Sequence, residues 1–158
     1  MSPQAQLRAF IAKFNPKIAA LARAASVEMR QLYPNAFQLV YDNYNALAIG
    51  FGPTERTSDA VFSIAVYPQR VLLCFLQGGT SNLKDPEKLL QGSGKLNRFI
   101  PLKNAATLVE PAVSDLISQA NSQARTPISS AVTGHLIIKS ESSKQRPRRP
   151  SAAGGSNA

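Results

Sequence analysis

Apolar residues recur at helical spacing at the start of the chain, first as Leu7, Phe10, Ile11 and Phe14, then as Ile18, Leu21, Ala22, Ala25, Met29 and Leu32. Between the two runs stands Asn15-Pro16, a capping residue followed by a proline whose missing N–H is harmless in the first turn. The pattern predicts two consecutive helices. The second ends at Tyr33-Pro34, because proline disfavours helical geometry in the residue before it.

From Phe37 the chemistry turns to that of strands. Phe37 to Ile49 is rich in aromatic and aliphatic residues, and Gly50-Phe51-Gly52-Pro53 breaks it. Val61 to Tyr67 and Arg70 to Leu76 flank Pro68-Gln69, a connection too short to cross over to a parallel neighbour, so the two form an antiparallel hairpin. Asn82 to Leu102 reads as a short helix capped by Asp85 with Pro86 at its first position, a glycine turn at Gly92 and Gly94, and a strand from Leu96 to Leu102. Pro101 suits that strand to a sheet edge. A closing helix runs from about Pro111 to Ala120, and His135-Leu136-Ile137-Ile138 is an isolated apolar patch that docks as a last strand or packs loosely. The elements predict an α+β fold: an antiparallel sheet of about five strands, covered on one face by the N-terminal and C-terminal helices as a two-layer sandwich.

From Lys139 onward no large apolar residue appears, so nothing offsets the entropy of ordering and a disordered basic tail over 139–158 is expected. The tail does not by itself account for the formal charge of +9. It carries Lys139, Lys144, Arg146, Arg148 and Arg149 against Glu141, while the remainder holds thirteen basic side chains against eight acidic ones. Both parts are basic, which favours attraction to a nucleic acid or another polyanion with strong salt dependence. The alternative is a basic protein with a solvated tail. No apolar run is long enough to span a bilayer and Met1-Ser2-Pro3-Gln4 does not open a signal peptide, so the expectation is a soluble cytoplasmic protein without membrane contact.

Catalytic and metal chemistry find little material. The one cysteine, Cys74, lies in an apolar run and reads as a buried small hydrophobe, and the one histidine, His135, lies near the basic tail, which gives a Ser-His or Cys-His pairing weak support. No thiolate or imidazole metal cage can be assembled from one Cys and one His. Gly92-Ser93-Gly94-Lys95 is not a phosphate loop of the nucleotide-hydrolase kind, since Leu89 and Leu96 occupy positions that motif reserves for Gly and Ser or Thr. The turn reads either as purely structural or as an anion site built from backbone N–H groups with Lys95 and Arg98. Tyr41, Asn43 and Asn45 fall on one face of a regular strand and Asp42 and Tyr44 on the other, which marks either a small-ligand site or an exposed sheet face.

The order of these motifs resembles the YdhG-like domain family, a domain of unknown function. The resemblance covers roughly Ile18 to Ala120 and rests on the Tyr33-Pro34 turn, the aromatic strand, the hairpin, and Gly92, Gly94, Lys95, Arg98 and Phe99 as a Gly-x-Gly-Lys-x-x-Arg-Phe core. Tyr41-Asp42-Asn43-Tyr44-Asn45 stands where many relatives carry Trp-Gly-x-Pro. It implies an N-terminal helical extension over 1–15, the family domain over 16–122, a C-terminal extension over 123–138, and then the tail. Together with the residues it points to a non-enzymatic binding module with no cofactor, no catalytic residue and no bound metal. Its ligand is a small anion or a protein partner, held by Tyr41, Asn43, Tyr44, Gly92, Gly94, Lys95 and Arg98 where the aromatic strand approaches the glycine turn. Two alternatives accompany this reading: a frataxin-like iron chaperone, which the family implies but the scarcity of acidic residues opposes, and a polyanion or nucleic-acid binder acting through the basic tail.

Overall fold

The structure, a computed structural model, describes residues 1–150 of the 158. Helix α1 (Pro3–Ala12) begins with the Ser2 hydroxyl accepting a hydrogen bond from the Ala5 N–H, and α2 (Pro16–Leu32) begins with the Asn15 side chain doing the same for Ile18. Each cap satisfies a backbone donor left free at a helix start, and a proline opens each helix. The buried side of α2 is Ile18, Ala19, Ala22, Ala25, Ser26 and Met29, whose alanines allow close approach to the sheet.

Six strands form one sheet: β1 (Phe37–Asp42), β2 (Leu47–Gly52), β3 (Phe62–Tyr67), β4 (Arg70–Phe75), β5 (Arg98–Pro101) and β6 (Leu136–Glu141). Their order is β5-β4-β3-β2-β1-β6. Every neighbouring pair is antiparallel except β1 and β6, which run parallel. A third helix, α3 (Pro111–Gln123), lies between β5 and β6 in the chain. The main core packs the helices against one sheet face through Ile49, Phe51, Phe62, Ile64, Leu73 and Phe75. Ala65, Leu72 and Cys74 form a separate, smaller cluster on the other face.

The α+β architecture, the two capped helices and the Pro68-Gln69 hairpin agree with the sequence pattern, and Pro101 does sit on an edge strand. Three differences matter for the site. The run Phe37 to Ile49 is not one strand: β1 stops at Asp42, and Asn43-Tyr44-Asn45 turns the chain back into β2, with the Asn43 N–H bonded to the Ala46 carbonyl. No helix forms after Asp85. Its carboxylate does accept hydrogen bonds, from the N–H groups of Leu89 and Leu90 at 2.9 Å each, but Lys88 at φ 55° turns the chain away before a second turn can propagate.

The third difference is the tail. Lys139 to Glu141 extend β6, and residues up to Pro150 pack back against the β1–β2 turn, the end of α1 and the β3–β4 turn instead of being disordered. The Ser142 and Arg146 N–H groups donate to the carbonyls of Asp42 and Tyr44, each at 2.8 Å. The disorder expected over 139–150 is therefore corrected; residues 151–158 lie outside the described residues. Polar docking of this kind leaves no mark in a count of large apolar side chains.

Candidate functional site

The free face of the sheet is hollow at its centre because the facing register positions there hold small residues. Ala48 pairs with Ala65 and Gly50 with Ser63, while the outer neighbours in the same rows are Tyr41 and Leu72, and Leu39 and Cys74. Side chains on alternate residues share a face, so these small positions form one continuous floor. A cleft of about 250 Å³ lies over it, between Tyr41, Asn43, Thr57 and Leu76. A second cavity of about 690 Å³ shares Thr57, Ala60 and Leu76 with the first and continues to Gln77, Leu96 and Arg125. The two adjoin along Thr57, Ala60 and Leu76, making one groove that runs over strands β1 to β3 and past the end of β4.

The walls are braced by hydrogen bonds among themselves. The Tyr41 and Thr57 hydroxyls bond to each other, and the Asn43 side-chain Oδ1 accepts from the Ser140 hydroxyl at 3.1 Å. Gln77, 8% exposed, donates from Nε2 to the Ala60 carbonyl and accepts from the Arg125 N–H, both at 3.1 Å. The Arg125 guanidinium donates to the Ser58 carbonyl and is exposed at the groove wall. A pre-braced wall around an empty floor suits a small ligand with an apolar body, held by few polar contacts.

Of the residues expected to form the site, Tyr41 and Asn43 line this groove. Tyr44 does not: it projects from the turn, 48% exposed, under the Arg146 guanidinium at 5.7 Å. Gly92, Gly94, Lys95 and Arg98 are not brought to Tyr41 either. Strands β1 and β5 stand four strand spacings apart, about 19 Å at about 4.8 Å each. Arg98 turns its guanidinium onto the Gly94 and Asn97 carbonyls, which closes the glycine loop on itself. Gly92 takes φ 103°, a conformation that favours glycine, and Lys95 is exposed. The expected convergence of an anion on Lys95, Arg98 and Tyr41 is thus corrected. Only Leu96 of this segment reaches the groove, held there because the Gly79 N–H donates to its carbonyl and a side chain at Gly79 would strike the Lys95 carbonyl.

Asp42 is the residue that strand reasoning placed but could not interpret. It is fully buried on the helix side of β1, with Lys13 Nζ at 2.7 Å on one oxygen and Arg148 at 2.9 Å on the other. Arg148 is itself only 5% exposed, also donates to the Asn43 carbonyl, and lies over the Phe14 ring at 5.5 Å. Burial pushes the Asp42 carboxyl up, but hydrogen bonds from Lys13, Gln145 and Arg148 outweigh it and hold the group below the usual carboxylate range. Arg149 adds a cap on α1, donating to the Lys13 and Ala12 carbonyls. The only sequence signal was an acid inside an otherwise apolar strand; its arginine lies 106 residues away.

The Cys74 thiol is buried, and burial pushes it up to about 11, against weaker opposing effects of Asn97 and Arg70. His135 is exposed at the start of β6, with Glu55 3.9 Å away. Among the described residues no group of three or more His, Cys, Asp and Glu side chains comes together around a point where a metal ion would sit, and no helix is long and apolar enough to cross a membrane. Compared with protein-family models, with curated proteins and with solved structures, the chain gives no match.

Proposed function

We propose that this chain is a non-enzymatic binding module whose ligand is a small molecule with a flat apolar body and one anionic group. The observation that carries the reading is the hollow floor: Ala48, Gly50 and Ser63 line the cleft and stand, with Ala65, in adjacent register on β2 and β3. The body lies over that floor between Tyr41 and Leu76, and the anion meets Arg125, the one cation among the residues lining the groove. A YdhG-like ancestry is part of the same proposal and rests on the motif order alone. The iron-carrying alternative gains no support, since the buried carboxylate of Asp42 is already committed to Lys13 and Arg148.

Ser63→Leu tests the reading. Its hydroxyl lies on the groove floor, so a leucine there fills the cleft without entering the helix-side core. A fragment screen by NMR is expected to give planar aromatic carboxylates that shift Tyr41, Ala48 and Arg125 resonances in the natural sequence and not in S63L. Hits that persist unchanged in S63L, or a screen without any hit at this face, would sink the idea.

One observation favours a second reading, that of a polyanion binder. Arg70 and Arg149 line one pocket at the tail end of the molecule, Arg146 stands beside it on Tyr44, and Asp42 beneath them is neutralised by its own partners. Retention on heparin that falls steeply with salt, and that drops when Arg70 and Arg146 become Gln, is the expected outcome. Equal elution of the variant and the natural chain would remove it.

A further inference from the structure

A different pocket lies between the two N-terminal helices, away from the groove. On α1, Leu7 and Ile11 share a face with Arg8 at its edge; on α2, Arg23, Ser26 and Arg30 share a face because they are spaced three and four residues apart. The two faces meet over Leu136 of β6 and enclose a cavity of about 250 Å³. Its floor is apolar and buried, and its rim carries three arginines. None of these arginines forms an ion pair with any described residue.

Ser26 supplies an independent observation. The residue is 3% exposed, lines the cavity, and its hydroxyl oxygen has no hydrogen-bond partner. A buried hydroxyl without a partner is costly, and native structures rarely leave one so. Three like charges around an apolar hole are also mutually unfavourable. Both conditions are relieved by the same guest: an oxyanion whose oxygens accept from the guanidinium forks and from the Ser26 hydroxyl, carried on a short apolar body that covers Leu7, Ile11 and Leu136.

We infer that the α1–α2 pocket is a binding site for a small amphiphilic carboxylate. The volume falls just below the usual range for ligand sites, about 300–1,000 Å³, which limits the body to a short chain or a single ring. Aspartate- or glutamate-like guests fit poorly, because a second charge would lie against the Leu7 and Ile11 floor. The site is distinct from the sheet groove and does not depend on it.

Octanoate is the probe, with acetate supplying the head group alone and octanol the tail alone. Isothermal titration and methyl NMR on the full chain are expected to show saturable octanoate binding that shifts Leu7, Ile11 and Leu136, with acetate and octanol each at least about tenfold weaker, the size of one good polar or apolar contribution. The double variant Arg23→Gln, Arg30→Gln keeps the fold, since both side chains are exposed, and should weaken octanoate at least about tenfold. Ser26→Ala removes the hydroxyl without adding bulk and should weaken it by a smaller factor, while S63L leaves it unchanged. No saturation at millimolar octanoate, equal affinity in the arginine variant, or shifts confined to the sheet groove would each overturn the assignment.

Discussion

The glycine turn and the C-terminal segment carry the same kind of charge and meet opposite fates. In the turn, Arg98 folds onto carbonyls of its own loop and Lys95 stays in water, so the pair acts locally. In the C-terminal segment, Arg148 is carried across the molecule to a buried carboxylate and an aromatic ring, and ties β1 and the link between α1 and α2 to that segment. What separates them is the environment that each arginine enters. A guanidinium facing solvent gains little from a nearby carbonyl or carboxylate, whereas a desolvated pair that is broken leaves an uncompensated charge inside the protein.

The largest expected effect follows from that contrast. Arg148→Ala leaves Asp42 buried with Lys13 as its sole remaining cation, and losing one partner of such a pair costs about 3–5 kcal/mol. For a chain of this size the melting temperature should fall by about 10 °C. Cutting the chain after Ile138 should cost at least as much, because it also removes half of β6. A change of only a degree or two in a thermal melt would show that the segment contributes no more than a solvated tail.

Next comes acidification. Asp42 is held below its usual range in the folded chain, so the folded state takes up its proton less readily than the unfolded one. The stabilisation it provides is present above the unfolded value, about 3.9, and is lost as pH falls through the lower folded value. Melting temperatures measured from pH 7 downward should therefore fall increasingly steeply below about pH 4. Asp42→Asn, less stable at pH 7, should show a shallower decline; parallel curves for the two chains would place the acid sensitivity elsewhere.

The smallest effect sharpens the comparison from the other side. Replacing both Lys95 and Arg98 by Ala removes more positive charge than Arg148→Ala does, yet should lower stability by no more than about 1 kcal/mol, as surface substitutions generally do. Denaturant titration decides it. Unfolding of the double variant would mean that Arg98, through Gly94 and Asn97, holds the loop that places Leu96 in the groove.

Local patterns carried much of the architecture on their own. Asn15-Pro16 and Tyr33-Pro34 bound α2 because capping and proline sterics act within a few residues, and Pro68-Gln69 sets the register of β3 against β4 because so short a turn allows no other pairing. Tyr41 and Asn43 were legible as polar groups at the end of an apolar strand, and both line the cleft. Three things were decided only by tertiary structure. Asn43-Tyr44-Asn45 became a turn once β2 returned beside β1, a choice that the continuous strand-like composition from Phe37 to Ile49 concealed. The groove exists because Ala48, Gly50, Ser63 and Ala65, drawn from two strands, come into adjacent register, and no single stretch of sequence displays that adjacency. The C-terminal segment is ordered through backbone pairing with β1 and through Arg148 meeting Asp42. Hydrophobic patterning reports which side chains leave water for an apolar core; it is silent about a polar group whose burial is compensated by a partner more than a hundred residues away.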